Sequence, residues 1–529
     1  METTLRGVGV SHGVAIGEVR HMGTAVLEPP AKQIPAEDAE REQGRARKAV
    51  DAVAADLIAR GNLAGGEAQA VLEAQALMAQ DPELMADVDR RIAVGSTAER
   101  AVYDAFASYR ALLAGAGEYL AGRVADLDDV RNRIVARLLG VPMPGVPDSD
   151  EPYVLIARDL APADTALLDP TLVLGFVTEE GGPTSHTAIL ARGRGLPAVV
   201  ACAGITALAD GTVISVDGKT GRIGVGLTDE AVAELRRNDR EERERLARSS
   251  GPGRTADGHP VKLLLNIGSA ADLRPGAEGV GLFRTEFLFL DRKQAPSFEE
   301  QVAAYAEVFA RAETVVVRTL DAGTDKPLPF LGLPPEPNPA LGIRGLRVDR
   351  LLPAVLDTQL DAIAEAVRAT GADAWVMAPM VTTPAEAAGF ARRARARGLT
   401  RVGAMVEVPA AALLADRLLE EVDFLSIGTN DLSQYTFAAD RQHPGLADLL
   451  DPWQPALLKL IAACADAGRA AGKPVGVCGE AAGDPQLAPV LAGLGVTSLS
   501  MAPVCVPSVR EELSKHTLAE CRKLAALAR

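Results

Sequence analysis

Aromatic residues make up only 4% of this 529-residue chain. A surface that stacks nucleobases needs rows of aromatic rings, so single-stranded nucleic acid is a poor candidate partner. The formal net charge of −16 argues against broad nucleic-acid binding of any kind and leaves only a local basic site open. Cysteine is scarce as well. Cys202, Cys464, Cys478, Cys505 and Cys521 are odd in number and contain no CxxC pair. That excludes a disulfide framework and points to a reduced, cytoplasmic setting. No uninterrupted apolar run approaches the length of a membrane span, so no membrane insertion is expected. The N-terminus lacks the apolar core of a secretion signal. A G-x-x-x-x-G-K-[ST] phosphate loop is missing too: the tripeptide Gly218-Lys219-Thr220 has Val213 where the first glycine belongs.

What is present is globular. Hydrophobic residues make up 48% and charged residues 24%, which excludes a largely disordered chain. At roughly 150 residues per domain the length suggests three or four domains, or fewer with one large barrel. Residues 1–23 read as short β segments between glycines. Helical patterns follow. Val50, Val53, Ala54, Leu57 and Ile58 share one face of a helix that Gly61 is expected to end. Further helical patterns cover about 67–80, a stretch opened by Asp81-Pro82, and 98–139. From 153 the pattern alternates, with strand-like YVLIA, LVLGFVTE, AVVAC and TVISVD and a helical stretch at 185–194. This is a small α/β domain. A run dense in Glu and Arg over 228–249 reads as a solvated linker helix.

Residues 261–503 carry eight buried-strand candidates: VKLLLNIG, GVGLFRTEF, TVVVRTLD, AWVMAPMV, RVGAMVE, FLSIGTND, PVGVCGE and SLSMAP. Helix-forming stretches separate most of them. Eight strands alternating with helices over about 250 residues point to a (β/α)8 barrel of TIM type, and the whole reads as a multidomain α/β protein. Polar residues cluster at the strand ends: Asn266, Arg284 with Glu286, Arg318 with Asp321, Glu407, Asn430 with Asp431, and Cys478 with Glu480. In a barrel those ends converge on the face that holds the active site.

Arg284, Arg318, Arg344 and Arg441 offer guanidinium forks that match phosphate or carboxylate oxygens, or that pair with local acids. Glu407 and Asp431 suit a hard cation such as Mg²⁺, with salt bridges to the arginines as the alternative. The amide of Asn430 can meet a substrate oxygen. Cys478 is either a packed thiol or a proton donor to carbon. A second site lies in GGPTSHTAILARGRGLPAVV, 181–200. There Thr184-Ser185-His186 opens a helix whose N-terminal N–H groups would stabilise a phosphoryl group placed on His186.

GGPTSHTAILAR, GLFRTEFLFLDR, VRTLDAGTDK, NPALGIRGLR, EVPAA, SIGTNDLSQYTFAADR and CGEAAGD together resemble the motifs of the phosphoenolpyruvate-utilising enzymes. Their order and the chain length fit the branch that starts the bacterial sugar phosphotransferase system. The resemblance implies a swivelling phosphohistidine domain made of 1–23 and 141–227, with an inserted helical domain at 24–140 that docks the histidine phosphocarrier protein HPr. It implies a linker helix at 228–258, and a phosphoenolpyruvate-binding barrel at 259–529 that forms a homodimer. His186 is then the phosphorylated residue. Arg284, Arg318 and Arg441 bind substrate phosphate, and Arg344, Asn430 and Asp431 complete the substrate site. Glu407 and Asp431 ligate Mg²⁺, and Cys478 protonates the enolate to give pyruvate. Two departures from the family pattern are Pro183, where many members have Arg, and Thr324, where many have Gly. A related phosphotransferase with another acceptor and a non-catalytic phosphoenolpyruvate-binding regulator are the rival readings.

Overall fold

The computed structural model describes residues 3–529 except 12, 24–27, 65, 116–123, 142–144, 148, 161–167, 170, 182–187, 189–190, 192–194, 291, 293, 327, 442–445 and 447–448. Two compact units meet in sequence at Asp239 and Arg240.

The first unit holds one eight-stranded sheet. Its strands are β1 (Thr3–Arg6), β2 (Val8–Ser11), β3 (Val14–His21), β4 (Tyr153–Ala157), β5 (Val173–Thr178), β6 (Ala198–Val200), β7 (Val213–Asp217) and β8 (Arg222–Val225). Their order is β1-β8-β7-β3-β4-β5-β6-β2. Residues from the chain's start therefore share a sheet with residues beyond 150. β3 to β6 run parallel to one another, and the remaining pairs are antiparallel. Between β3 and β4 come the helices Ala39–Ala64, Gly66–Ala79, Pro82–Ala93, Ala98–Gly115 and Val124–Leu139, which enclose a hydrophobic core of their own. Asp81 caps the third by accepting the N–H groups of Glu83 and Leu84, with Pro82 in the first turn. The first helix corrects one expectation: it runs through Gly61 to Ala64. A glycine inside a helix costs only about 1 kcal/mol relative to Ala, and burial of Val50, Val53, Ala54 and Leu57 outweighs that. The helix expected at 185–194 lies almost wholly outside the described residues.

The exposed, acid- and arginine-rich helix Asp229–Ala247 leads into the second unit. There β9 (Lys262–Ile267), β10 (Val280–Arg284), β11 (Thr314–Arg318), β12 (Asp373–Ala378), β13 (Arg401–Val406), β14 (Phe424–Ile427), β15 (Val475–Val477) and β16 (Ser498–Met501) are all parallel. β16 pairs back with β9 and closes the barrel. Outward-facing residues such as Val315, Val317, Val376 and Val402 pack under the surrounding helices. Capping boxes at Ser297–Glu300 and Thr383–Glu386 start two of these helices. Among the described residues no helix is long and apolar enough to cross a membrane.

Candidate active site at the barrel mouth

Strand period two decides which residues reach the mouth. Residues i and i+2 of a strand share a face. Leu282, Val316, Met405 and Cys478 pack together inside the barrel with Met377 and Phe424. Two positions beyond the first three of these, at or just past the strand ends, stand Arg284, Arg318 and Glu407.

Arg318 is buried among acids. Its Nη2 donates to Oε2 of Glu286 at 2.9 Å, and its Nη1 lies 3.5 Å from Asp321 and 3.7 Å from Glu407. Burial alone would depress its pKa, but the charges of Glu286, Asp321 and Glu407 hold it above the ordinary value. Its Nε has no hydrogen-bond partner among the described residues. Arg284 contrasts with it. Among the described residues it makes no ion pair or hydrogen bond, and its guanidinium lies 5.7 Å from the centre of the Phe287 ring. Water reaches it at the lip of the mouth. Even so, the surrounding walls, and then the like charge of Arg318, bring its pKa below the ordinary arginine value. An anion bound here would gain the charge-assisted hydrogen bonds that Arg284 does not make with the described residues.

Oxygens of Asp321, Glu407 and Asp431 lie within 4.8 Å of one another, and all three residues are buried. Asp321 accepts from Arg344 at 3.0 and 3.1 Å and from Lys326 at 2.7 Å. Asp431, in the first turn of the helix Thr429–Phe437, accepts from Arg344 at 3.0 Å and lies 3.7 Å from Arg441. Burial would raise its pKa, but Arg441, Arg344 and Lys326 bring it below the usual carboxylate range. Glu407 is the exception. Burial, then the negative charges of Asp321 and Asp431, push it up to about 7. Arg318, at 3.7 Å, and Arg344 offset only part of this rise. Three buried carboxylates this close, one of them undercompensated, make a negative pocket that suits a hard cation.

Cys478 follows β15 and is buried. Its S–H points to the carbonyl of Ile427 at 3.5 Å, and its own carbonyl accepts from Asn266 Nδ2 at 2.9 Å. Burial pushes the thiol up to about 11, with Ser426, Arg318 and Arg284 offsetting part of that rise. At neutral pH the group keeps its proton and remains able to give it. The next residue has to be glycine: a Cβ on Gly479 would sit 1.9 Å from Thr429 Oγ1 and 2.5 Å from its nitrogen. Asn430, half-buried beside it, accepts the N–H of Glu480 at 3.0 Å. His186, with Pro183, Thr184 and Ser185, lies outside the described residues.

Three family models cover most of the chain: "PEP-utilising enzyme, N-terminal" over 6–123, "PEP-utilising enzyme, mobile domain" over 149–221, and "PEP-utilising enzyme, PEP-binding domain" over 242–518. A phosphoenolpyruvate-protein phosphotransferase of Streptomyces coelicolor is 70% identical over 100% of this chain and 97% of its own length. This chain belongs to the PEP-utilising enzymes. Proteins of the same name from Staphylococcus carnosus and Haloferax volcanii are 37% and 42% identical, over 99% and 87% of this chain and 96% and 84% of their own lengths.

The barrel of this PEP-utilising enzyme brings Arg318, Arg344, Glu407, Asp431 and Arg441 into one network of charges. Arg284 and Cys478 lie close enough to perturb each other. Arg344 is the one whose position departs from a substrate-facing arginine, because it is 1% exposed and its nitrogens are occupied by acids. Of four further contributors, the sequence reading placed Asp321 and Glu286 at the mouth without giving them a role, and it singled out neither Lys326 nor the backbone of Met380. The first two carried a signal, since both are acids at strand ends beside a chosen arginine. Lys326, five residues past Asp321, had a weaker one. Met380 N–H, which donates to Glu407 at 2.8 Å, had none.

Proposed function

We propose that this PEP-utilising enzyme transfers the phosphoryl group of phosphoenolpyruvate to its own His186 and then to a histidine of the carrier protein HPr. Pyruvate is released, and the reaction is the first step of sugar uptake by the phosphotransferase system in the cytoplasm. The observation that carries this reading is 70% identity, end to end, with a phosphoenolpyruvate-protein phosphotransferase.

Arg284, Arg318 and Arg441 bind and orient the substrate phosphate. Asn430 meets a substrate oxygen through its amide. Glu407 and Asp431 are the residues that would hold Mg²⁺, which when bound neutralises charge on the phosphoryl and enolate oxygens. An imidazole nitrogen of His186 attacks phosphorus. The bond from phosphorus to the ester oxygen breaks, and its electron pair passes to the departing enolate. Cys478 gives its thiol proton to the terminal carbon of the enolate, completing pyruvate, and later takes a proton from water. His186 then yields the phosphoryl group to the carrier's histidine. A homodimer through the barrel belongs to the same reading, and sedimentation of the full chain tests it.

The reaction is tested by mixing the chain with phosphoenolpyruvate, Mg²⁺ and purified carrier protein. Pyruvate and phosphorylated carrier should appear in equal amounts. With carrier in large excess those amounts match, and without carrier only about one pyruvate per chain should form; continued pyruvate formation without carrier would contradict the proposed acceptor.

A further inference from the structure

The position of Arg344 near the mouth makes it a candidate substrate ligand, but every nitrogen of its guanidinium already faces an acid. We propose that Arg344 is a positioning residue: it bridges Asp321 to Asp431 and fixes the Asp431 carboxylate for the cation, without touching substrate. This rests on the cation reading given above.

Arginine has five N–H donors in a rigid fork. In Arg344, Nε donates to Oδ1 of Asp321 at 3.0 Å and Nη2 to Oδ2 of the same residue at 3.1 Å. Nη1 donates to Oδ1 of Asp431 at 3.0 Å, lies 3.1 Å from Oδ2 of Asp325, and is 3.5 Å from the Tyr435 hydroxyl. Each of the three guanidinium nitrogens thus faces an acid, four of the five N–H groups have a partner, and the side chain is only 1% exposed, so the fork is turned to the protein and away from an incoming molecule.

The chain is shaped to put it there. Gly323 lies against Arg344: a Cβ at 323 would come within 2.6 Å of the Ile343 carbonyl and 2.7 Å of Arg344 Cβ. Gly345 takes φ +59 and donates its N–H to the Ala322 carbonyl at 2.9 Å. The 321–323 and 343–345 segments are thus packed directly against each other.

Asp321 and Asp431 differ in what they have left to give. Both oxygens of Asp321 are occupied, by Arg344 and Lys326, with Arg318 at 3.5 Å. Asp321 therefore anchors the fork and is not a third ligand. Asp431 gives only Oδ1 to Arg344, and among the described residues its Oδ2 has just the longer 3.7 Å pair with Arg441. Holding one oxygen of a carboxylate so that the other is aimed is how outer partners orient a metal ligand.

The test measures Mn²⁺ binding to the full chain by electron paramagnetic resonance, with Glu407→Gln as control, and phosphoenolpyruvate affinity at saturating Mn²⁺. The parent should bind Mn²⁺ and Glu407→Gln should not. Arg344→Lys keeps the charge but loses the fork, so Mn²⁺ affinity should fall about 10–100-fold, as for other outer partners. Phosphoenolpyruvate affinity at saturating Mn²⁺ should stay at the parent value. Parental Mn²⁺ affinity in Arg344→Lys overturns the brace, as does phosphoenolpyruvate affinity lost at saturating Mn²⁺. A parent that binds no Mn²⁺ overturns the cation reading itself, and the brace with it. If Arg344→Lys does not fold, the parent is crystallised with Mn²⁺ and a non-reactive phosphoenolpyruvate analogue. Arg344 should still span Asp321 and Asp431, out of hydrogen-bond reach of the analogue, and an N–H of Arg344 on the analogue would overturn the proposal.

Discussion

Oε2 of Glu407 accepts the backbone N–H of Met380 at 2.8 Å, and Met380 stands at φ +57. A left-handed conformation costs a non-glycine residue on the order of 1–3 kcal/mol. Here it aims a donor at the buried carboxylate whose nearest cationic nitrogen, on Arg318, is 3.7 Å away. Burial, and then the negative charges of Asp321 and Asp431, outweigh the nearby cations and push Glu407 up to about 7.

Glu407→Gln should therefore stabilise the metal-free protein while abolishing metal-dependent turnover. The folded-state value of about 7 lies above the ordinary 4.5. The stability this group contributes is complete below about 4.5 and is lost as pH rises through 7. The glutamine has no such loss, so its advantage over the parent should grow between pH 5 and pH 8. A rise in Tm of about 2–4 °C at pH 8, near 1 kcal/mol for a domain of this size, is the expected scale. Melting curves in chelator across that range check it. A variant less stable than the parent at pH 8 would show that Glu407 is already balanced.

Arg318 and Arg284, whose like charges perturb each other, should separate stability from binding. Arg318→Met leaves Glu286, Asp321 and Glu407 without their shared cation. Breaking a buried pair in this way costs about 3–5 kcal/mol. Arg284→Met breaks no ion pair among the described residues, so its melting temperature should stay near that of the parent while phosphoenolpyruvate affinity falls. Calorimetric titration and melting on both variants make the comparison. Equal melting losses would show that Arg284 has a structural partner.

Cys478→Ala and Cys478→Ser should slow pyruvate formation by about 10²–10⁴-fold, the usual worth of a general acid. Serine should not rescue, because a hydroxyl is a far weaker acid than a thiol. Enolate can still form and return, so phosphorylation of the protein should remain measurable. Pyruvate release at the parent rate, with only a lower melting temperature, would make the thiol a packing residue.

Much of the barrel was legible because its strands are short, apolar and bounded by helical stretches, and because polar residues mark the ends of six of the eight. Arg284, Arg318 and Glu407 could be chosen for that reason: period two carries the interior face straight to the mouth. Arg344 could be found but not understood. Its role depends on Asp321 and Asp431, 23 and 87 residues away in sequence, and no local pattern encodes such contacts. Asp321 was read as a strand-end acid, yet nothing local shows that its oxygens are saturated by cations. Met380 was beyond reach, since a positive φ at a methionine has no signature in composition or spacing. Gly61 misled because glycine stops exposed helices more readily than packed ones.

Phosphosite mapping of the full chain after brief reaction with phosphoenolpyruvate and Mg²⁺ tests the central claim most directly. Mass spectrometry at alkaline pH, where phosphohistidine survives, should find one phosphoryl group on His186. His186→Ala should carry none while still binding phosphoenolpyruvate, because the binding residues lie in the barrel. A phosphoryl group on any other residue, or label retained by His186→Ala, would contradict the account.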